Sequence, residues 1–232
     1  SWAEHFKEPL VASLHAMGVE MEEVSQTEAY RRGDYVEQVL QAVAHRDRIE
    51  TILGRYRTKA APVAESEQEA AALADSVVED DEATGAGDAP DRAGHLARFP
   101  YKPYCRSCGR DTVEVTSYDD ETTDLAYTCA CGDSHVTNVA TQPEGKLVWK
   151  VDWPMRWAYE GVDFEPGGLD HSTPGSSYTV GKEVVKRVFD FRAPSYVAYA
   201  FVGFAGMQKM SSSSGGVPRA LAISEHLGRD SA

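Results

Sequence analysis

A short polar run near the C-terminal end of the chain carries residue types suited to phosphate chemistry. Residues 208–216 contain one lysine and one methionine, followed by four serines and two glycines. Closely spaced hydroxyl and backbone N–H groups with little side-chain bulk can wrap a polyphosphate, and the ammonium group of Lys209 would supply a fixed positive charge. A flexible Ser/Gly linker has the same composition, so the run alone leaves both interpretations open.

All four cysteines of the chain lie in one short segment, and their spacing predicts a metal site. The first pair follows C-x2-C, the second follows C-x-C, and twenty residues separate the pairs. Two such knuckles, joined by a hairpin over residues 112–118 and 125–128, are the plan of a zinc ribbon in which four thiolates close the coordination sphere. Two free knuckles or a redox pair are the alternatives, and His135 is either a substitute ligand or a surface residue. The four cysteines are Cys105, Cys108, Cys129 and Cys131.

The overall charge says little about partners, because it is unevenly distributed. The formal net charge is −14, but ten acidic residues and no basic one fall within residues 61–91, and the rest is close to neutral. Residues 59–95 are rich in Ala, Glu and Asp and have no aromatic residue, which predicts a disordered acidic insertion or a weakly helical tether. No apolar run approaches the ~18 residues that span a bilayer, and no leader resembles a signal peptide. We therefore expect a cytoplasmic protein without a membrane partner.

Apolar periodicity predicts mostly helices before this insertion. Four apolar residues between positions 6 and 17 fall on one helical face, and Gly18 is placed to end that helix. Residues 19–24 favour a short strand, and residues 35–56 favour a second amphipathic helix. Helix, strand and helix in this order indicate a piece of an α/β domain.

After the cysteine segment, the sequence predicts a strand, a polar crest and a helix. Residues 162–169 lead to the pair Asp170-His171, and residues 184–189 favour a helix beyond the crest. In open α/β sheets, ligands lie at such crests at the ends of strands. Residues 196–206 are mostly apolar, which predicts a buried strand or hairpin that leads into the serine run.

Three blocks of the sequence, in their order and spacing, resemble one family. They are W-K-V-D-W-P-M-R-W at 149–157, G-L-D-H and G-S-S-Y between 168 and 178, and K-M-S-S-S at 209–213. The last block resembles the K-M-S-K-S signature loop of class I aminoacyl-tRNA synthetases, and the set resembles the catalytic domain of the class I (archaeal-type) lysyl-tRNA synthetase. Residues 25–33 and the cysteine knuckles also look like that family. The resemblance implies part of a Rossmann-like α/β catalytic domain with an inserted zinc ribbon.

This resemblance implies an ATP-dependent ligase that joins lysine to tRNA(Lys). The lysine carboxylate would attack the α-phosphate of ATP, bound with Mg²⁺, and the lysyl group would then pass to the 3′-terminal ribose of the tRNA. Such chemistry is mostly positioning and charge stabilisation. Lys209 would neutralise the departing pyrophosphate, three serines would donate hydrogen bonds to phosphate oxygens, and Ser212 stands where many class I enzymes have a second lysine. The implied catalytic serines are Ser211, Ser212 and Ser213.

Binding roles follow from the same resemblance. Asp170 would accept the ribose hydroxyls of ATP, Gly175 would let backbone approach the nucleotide, and His171 and Met210 complete the ATP-binding set. The substrate lysine needs an aromatic slot for its methylene stem and an acceptor for its ammonium group. For the tryptophans, plain core packing is the alternative. The candidates for the slot are Trp149, His171 and Tyr178.

The resemblance divides the chain but is incomplete. It implies a helical, α/β part of the catalytic domain at 1–58, the acidic insertion at 59–95, the zinc ribbon at 96–144, and the second half of the catalytic domain at 145–232. No H-I-G-H-type element is found, because H-A-M-G at 15–18 closes a helix and does not follow a strand. We expect a piece of a longer synthetase that lacks the anticodon-reading region and has little adenylation activity alone.

Two other functions remain open on the sequence alone. One is a synthetase-derived paralogue that activates an amino acid without tRNA, because the same loop would serve adenylate formation. The other is a non-catalytic zinc-ribbon module with a degenerate nucleotide fold. Loss of ATP binding on Lys209→Ala would argue against that module, because a scaffold has no need of this charge.

Overall fold

The computed structural model describes residues 2–57, 96, 98–173 and 175–200. The K-M-S-S-S run and nearly all of the acidic insertion lie outside these residues. Two compact units are distinguished, Gln26–Ala200 and a second one that joins Ser1–Ser25 with Phe201–Ala232. The four-part division at 1–58, 59–95, 96–144 and 145–232 stays a prediction.

The described part of the smaller unit contains one helix. α1 (Trp2–Ala16) is followed by Gly18, whose φ of +76° lies in the left-handed region that glycine adopts without strain. The H-A-M-G run therefore closes a helix, as the sequence indicated. The strand predicted at 19–24 is wrong, because these residues form no regular element and their apolar side chains are 42–50% exposed. A strand needs a neighbour to pair its backbone groups, and none of the described strands pairs with this segment.

Three short helices begin the larger unit. They are α2 (Gln26–Arg32), α3 (Val36–Ala44) and α4 (Arg46–Arg57). The single helix predicted over 35–56 is divided at His45, where two side chains bind carbonyls in the last turn of α3. The Nδ1 atom of His45 lies 2.9 Å from the Gln41 carbonyl oxygen, and Arg46 donates to the Val43 carbonyl at 3.0 Å. The predicted apolar face is buried through Val39, Ala42, Val43, Ile49 and Ile52.

Five strands form the cysteine-bearing region. β2 (Val113–Tyr118), β3 (Asp124–Cys129) and β4 (Ser134–Asn138) make an antiparallel sheet in that order, which confirms the predicted hairpin. β1 (Tyr101–Pro103) pairs antiparallel with β5 (Gly145–Leu147). Alternating residues of β2 and β3 are buried, so this sheet contributes one apolar face to the core.

The last described region is a parallel strand pair with a helix between its strands. α5 (Trp149–Glu160) leads to β6 (Phe164–Gly168), and α6 (Ser177–Val188) connects β6 to β7 (Ser195–Tyr199). β6 and β7 pair in parallel, so the predicted strand, crest and helix are confirmed. The strand predicted from residue 196 is confirmed where it is described, but only Ala198 in it is buried. A β-α-β unit of this kind is a component of α/β folds.

The helices and the cysteine-bearing sheet share the main cluster of buried side chains. It includes Val39 of α3, Leu125 of β3, Met155 of α5 and Val184 of α6. The cysteine-bearing sheet is thus packed against the helices. None of the helices in the described parts of the chain has both the length and the hydropathy of a membrane span.

Candidate functional site

The polar crest lies where β6 ends, and a 3₁₀ turn presents Asp170 and His171 there. The turn spans Leu169–His171 and directly follows Gly168. The side chains of Asp170 and His171 are 53% and 38% exposed, and Oδ2 and Nε2 lie 3.8 Å apart. A Cβ atom at Gly168 would lie 2.5 Å from Oδ1 of Asp170. The carboxylate therefore folds over Gly168, and a side chain at this position would displace it.

Hydrogen bonds hold the loop that follows this turn. Ser176 Oγ donates to the carbonyl oxygen of His171, and Lys150 Nζ donates to the carbonyl oxygen of Gly175 at 2.6 Å. Gly175 has φ +81°, and a Cβ there would lie 3.3 Å from Cβ of Tyr56. Both the backbone conformation and the close neighbour favour glycine at this position. The sequence did not indicate the contact of Lys150 with this loop.

A row of aromatic rings connects most of the residues that the sequence selected for the lysine slot. Trp149 stacks on Trp153 with ring centroids 5.2 Å apart, and Trp153 meets His171 edge-on at 5.6 Å. Trp149 is 49% exposed, whereas Trp153 is 7% and Trp157 is 1% exposed. The two inner tryptophans therefore pack in the core, and Trp149 presents ring surface to solvent, with Trp153 in contact with both Trp149 and His171.

Tyr178 lies further along the same row, in a different environment. It is 4% exposed, and its hydroxyl donates to the carbonyl oxygen of Pro194 at 3.0 Å. Its ring packs between Trp157, at 5.5 Å, and Tyr196, at 3.8 Å. These contacts favour a packing role, and contact with a substrate stays a prediction for Tyr178.

A polar network holds the first turns of α5, which carry Trp149. Tyr30 of α2 donates its hydroxyl hydrogen to Asp152 Oδ1 at 2.5 Å and accepts the backbone N–H of Leu147 at 3.1 Å. Arg156 donates to the other oxygen of Asp152 at 3.0 Å, and its guanidinium lies 5.5 Å from the Trp149 ring centroid. Burial raises the pKa of Tyr30 well above its usual value, so this hydroxyl stays a donor. The only sequence signal for it was the run 25–33, in which Tyr30 lies.

The four cysteine sulfurs meet in one cluster whose dimensions fit a tetrahedral ion. All four Sγ atoms lie within 4.8 Å of one another, with 3.7 Å between Cys105 and Cys131 and 3.7 Å between Cys108 and Cys129. Tetrahedral Zn–S bonds of ~2.3 Å place sulfurs about 3.8 Å apart, whereas a disulfide needs ~2.05 Å. The ring of His135 instead contacts the Ser107 hydroxyl at 3.1 Å.

The four thiols do not share one electrostatic environment. The backbone N–H of Cys131 lowers the pKa of the Cys129 thiol, which favours a thiolate at one corner. Backbone hydrogen bonds also act to lower the pKa values of Cys108 and Cys131, but burial and the neighbouring thiols raise them overall. Cys105 and Cys129 are buried, whereas Cys108 and Cys131 are exposed, so the cluster lies at the edge of the cysteine-bearing region. These residues could hold a Zn²⁺ ion in a site closed by protein ligands.

Comparison with known proteins identifies the family. The chain matches the family described as tRNA synthetases class I (K) over residues 1–229. It belongs to the class I lysyl-tRNA synthetase family. It is 52% identical over 220 residues to a lysine–tRNA ligase of Streptomyces coelicolor, which covers 94% of this chain and 37% of that protein.

Archaeal synthetases of this family are similar over the same region. A lysine–tRNA ligase of Methanosarcina acetivorans is 34% identical over 216 residues, covering 93% of this chain and 34% of the relative. The protein of that name from Thermococcus kodakarensis is 35% identical over 220 residues, covering 94% and 36%. The chain therefore spans about a third of the length of the curated relatives it matches, and the resemblance read from the sequence is confirmed.

The structure brings together only part of the site that the family motifs imply. Asp170, His171, Gly175 and Trp149 lie around the end of β6 and the start of α6. The signature loop lies outside the described residues, so its predicted roles stay predictions. Its residues are Lys209, Met210, Ser211, Ser212 and Ser213.

Proposed function

We propose that this chain takes part in the ATP-dependent activation of lysine and its ligation to tRNA(Lys), as part of a Rossmann-like synthetase catalytic domain. One observation carries the proposal: Trp149 and His171 contact the same buried ring, Trp153, beside the crest at the end of β6. An exposed aromatic surface and an exposed carboxylate thus both lie near the end of β6, where α/β sheets bind ligands. The similarity to proteins named lysine–tRNA ligase supports it.

The crest suits the ribose of ATP. Gly167 and Gly168 end β6 without side chains, and the Asp170 carboxylate lies over Gly168 with half of its surface exposed. An ionised carboxylate accepts hydrogen bonds only, which matches two donating ribose hydroxyls. Gly175 leaves room for the nucleotide to approach the backbone.

Trp149 suits the stem of the substrate lysine. Four methylene groups lose water favourably against an indole face, while the ammonium end gains from the ring quadrupole. Trp149 Nε1 donates to the Ser177 hydroxyl at 3.0 Å, so the ring orientation is fixed before any ligand binds. His171, at the far side of Trp153, would lie beside the same substrate.

The proposed reaction is a transfer in two steps. An oxygen of the lysine carboxylate attacks the α-phosphorus, the bond to the β-phosphate breaks, and pyrophosphate leaves with the charge that Lys209 and the serines offset. A ribose hydroxyl of the tRNA then attacks the lysyl carbonyl, and AMP leaves. Mg²⁺ bound with ATP would offset phosphate charge, and Zn²⁺ held by the four cysteines would join the two knuckles as a structural ion.

Binding of ATP to this chain tests the proposal. We expect calorimetry to detect ATP binding, which Lys209→Ala and Asp170→Asn both weaken, and lysine binding, which Trp149→Ala weakens. Tyr159→Phe, on an exposed face of α5, is the matched control and should change neither. A chain that binds neither ATP nor lysine would refute the proposal. Lysine-dependent ATP–pyrophosphate exchange at normal turnover would refute our separate expectation that the chain alone has little activity.

A further inference from the structure

The structure assigns to Tyr196 and Ser172 a positioning role: their two hydroxyls form a clasp that holds the turn carrying Asp170 and His171. The inference goes beyond the family motifs, because Tyr196 lies on β7 and neither residue belongs to the predicted binding set. Its effect on nucleotide binding rests on the proposed function. The clasp itself rests on geometry alone.

Both hydroxyls converge on one carbonyl at the end of β6. Ser172 Oγ and Tyr196 Oη each lie 3.2 Å from the carbonyl oxygen of Gly168, and 2.9 Å from each other. Two hydrogens serve these three contacts, so one hydroxyl donates to the other and the second donates to the carbonyl. Either arrangement connects the end of β6, the residue after the turn, and β7.

Burial and close packing surround the two hydroxyls of the clasp. Ser172 is fully buried, and its backbone N–H closes the turn by donating to the Leu169 carbonyl at 3.1 Å. The Tyr196 ring stacks on Tyr178 with centroids 3.8 Å apart. A Cβ at Gly167 would lie 2.2 Å from Tyr196 Oη, so the missing side chain is what admits the hydroxyl. Burial raises the pKa of Tyr196, which keeps its hydroxyl protonated and able to donate.

Apart from the edge contact of His171 with Trp153, the turn itself has few other restraints within the described residues. Asp170 and His171 are substantially exposed, and their side chains lie 3.8 Å apart, beyond hydrogen-bonding distance. Ser176 Oγ, which donates to the His171 carbonyl, holds only the following side of the turn. The clasp therefore holds the side of the turn that follows β6, and this side sets the orientation of the Asp170 carboxylate.

Hydrogen exchange tests the clasp without any ligand. Tyr196→Phe keeps the ring and its stacking, and Ser172→Ala removes the other hydroxyl. We expect exchange of the Ser172 amide to become about 2- to 10-fold faster in each single variant, because one hydrogen bond remains. In the double variant, the increase in exchange rate should exceed the product of the increases in the two single variants. Tyr159→Phe is the control, since its hydroxyl has no hydrogen bond within the described residues.

Discrimination between ATP and 2′,3′-dideoxy-ATP tests the positioning role. The unaltered chain should bind ATP more tightly than the dideoxy analogue. In Tyr196→Phe this ratio of affinities should fall towards its value in Asp170→Asn. Lysine binding should be retained. Faster exchange with an unchanged preference would overturn the positioning role, and unchanged exchange in the double variant would overturn the clasp. If the unaltered chain bound no ATP, the proposed function and the ribose part would fall together, and exchange would still decide the clasp.

Discussion

The hydroxyl of Tyr30 connects α2, β5 and α5, and removing it should destabilise the larger unit by about 3 kcal/mol. In Tyr30→Phe the ring remains, so the loss comes from two hydrogen bonds. The bond to the Asp152 carboxylate contributes about 1.5–3 kcal/mol, and an orphaned backbone N–H costs about 1–3 kcal/mol. The donor on Leu147 is fully inside the core, since Leu147 is 1% exposed. Asp152 keeps Arg156 at 3.0 Å, which limits the total to the lower part of the combined range.

Urea unfolding followed by tryptophan fluorescence measures this effect directly. Three of the four tryptophans lie in α5, the helix that Tyr30 supports, so the signal reports the right region. The expected loss corresponds to a fall of roughly 6–12 °C in the midpoint of thermal unfolding. Tyr159→Phe, which removes an exposed hydroxyl from the same helix, should change stability by less than ~0.5 kcal/mol.

A double-mutant cycle with Asp152→Asn isolates the charged bond. We expect a coupling energy of about 1–2 kcal/mol between Tyr30 and Asp152, because their atoms are 2.5 Å apart. A loss below ~1 kcal/mol in Tyr30→Phe, with the ring still buried, would refute the reasoning. It would mean that water or the backbone satisfies Leu147 and Asp152 equally well.

Three further predictions concern packing, metal and pH. Gly181→Ala should destabilise by about 1–2 kcal/mol, because the new Cβ would lie 2.8 Å from the Trp157 ring and the overpacking outweighs the gain in helix propensity; chemical unfolding would show it. Elemental analysis should find about one zinc per chain, and Cys131→Ser should lower its retention against a chelator. Burial raises the pKa values of Tyr30 and Tyr101 in the folded state. Their contribution to the free energy of unfolding should therefore be complete below pH ~10, the pKa of tyrosine in the unfolded chain, and should fall above it. Thermal midpoints measured between pH 8 and 11 would check this.

Local patterns predicted the parts of this structure whose cause is local. The spacing of the cysteines predicted the cluster because a hairpin of that length returns the second knuckle to the first. The crest at Asp170 was predictable because a strand, a polar turn and a helix leave the same signal in any α/β protein. Gly18 adopts the left-handed backbone conformation that its predicted position at a helix end implies.

Other features depend on partners that the sequence does not reveal. Residues 19–24 have the composition of a strand, but none of the described strands pairs with them, so their propensity is not realised as a strand. At the division between α3 and α4, side chains of His45 and Arg46 bind carbonyls, whereas apolar periodicity continues through the break. Tyr178 has a polar group suited to a ligand, but its hydroxyl is taken by Pro194, which no motif indicates.

The same distinction separates residues that contact a substrate from residues that orient those contacting side chains. Asp170 and Trp149 stand in short motifs, because the groups that touch a ligand come in recognisable sets. The groups that hold them are distant in sequence: Tyr30 and Asp152 differ by 122 in residue number, and Ser172 and Tyr196 by 24. A positioning residue needs only one hydroxyl at one point in space, and many chain paths can supply it. Such residues therefore leave little pattern in one sequence. A displacement of 1 Å in a group that contacts substrate can nevertheless lower the reaction rate as much as loss of the contact itself.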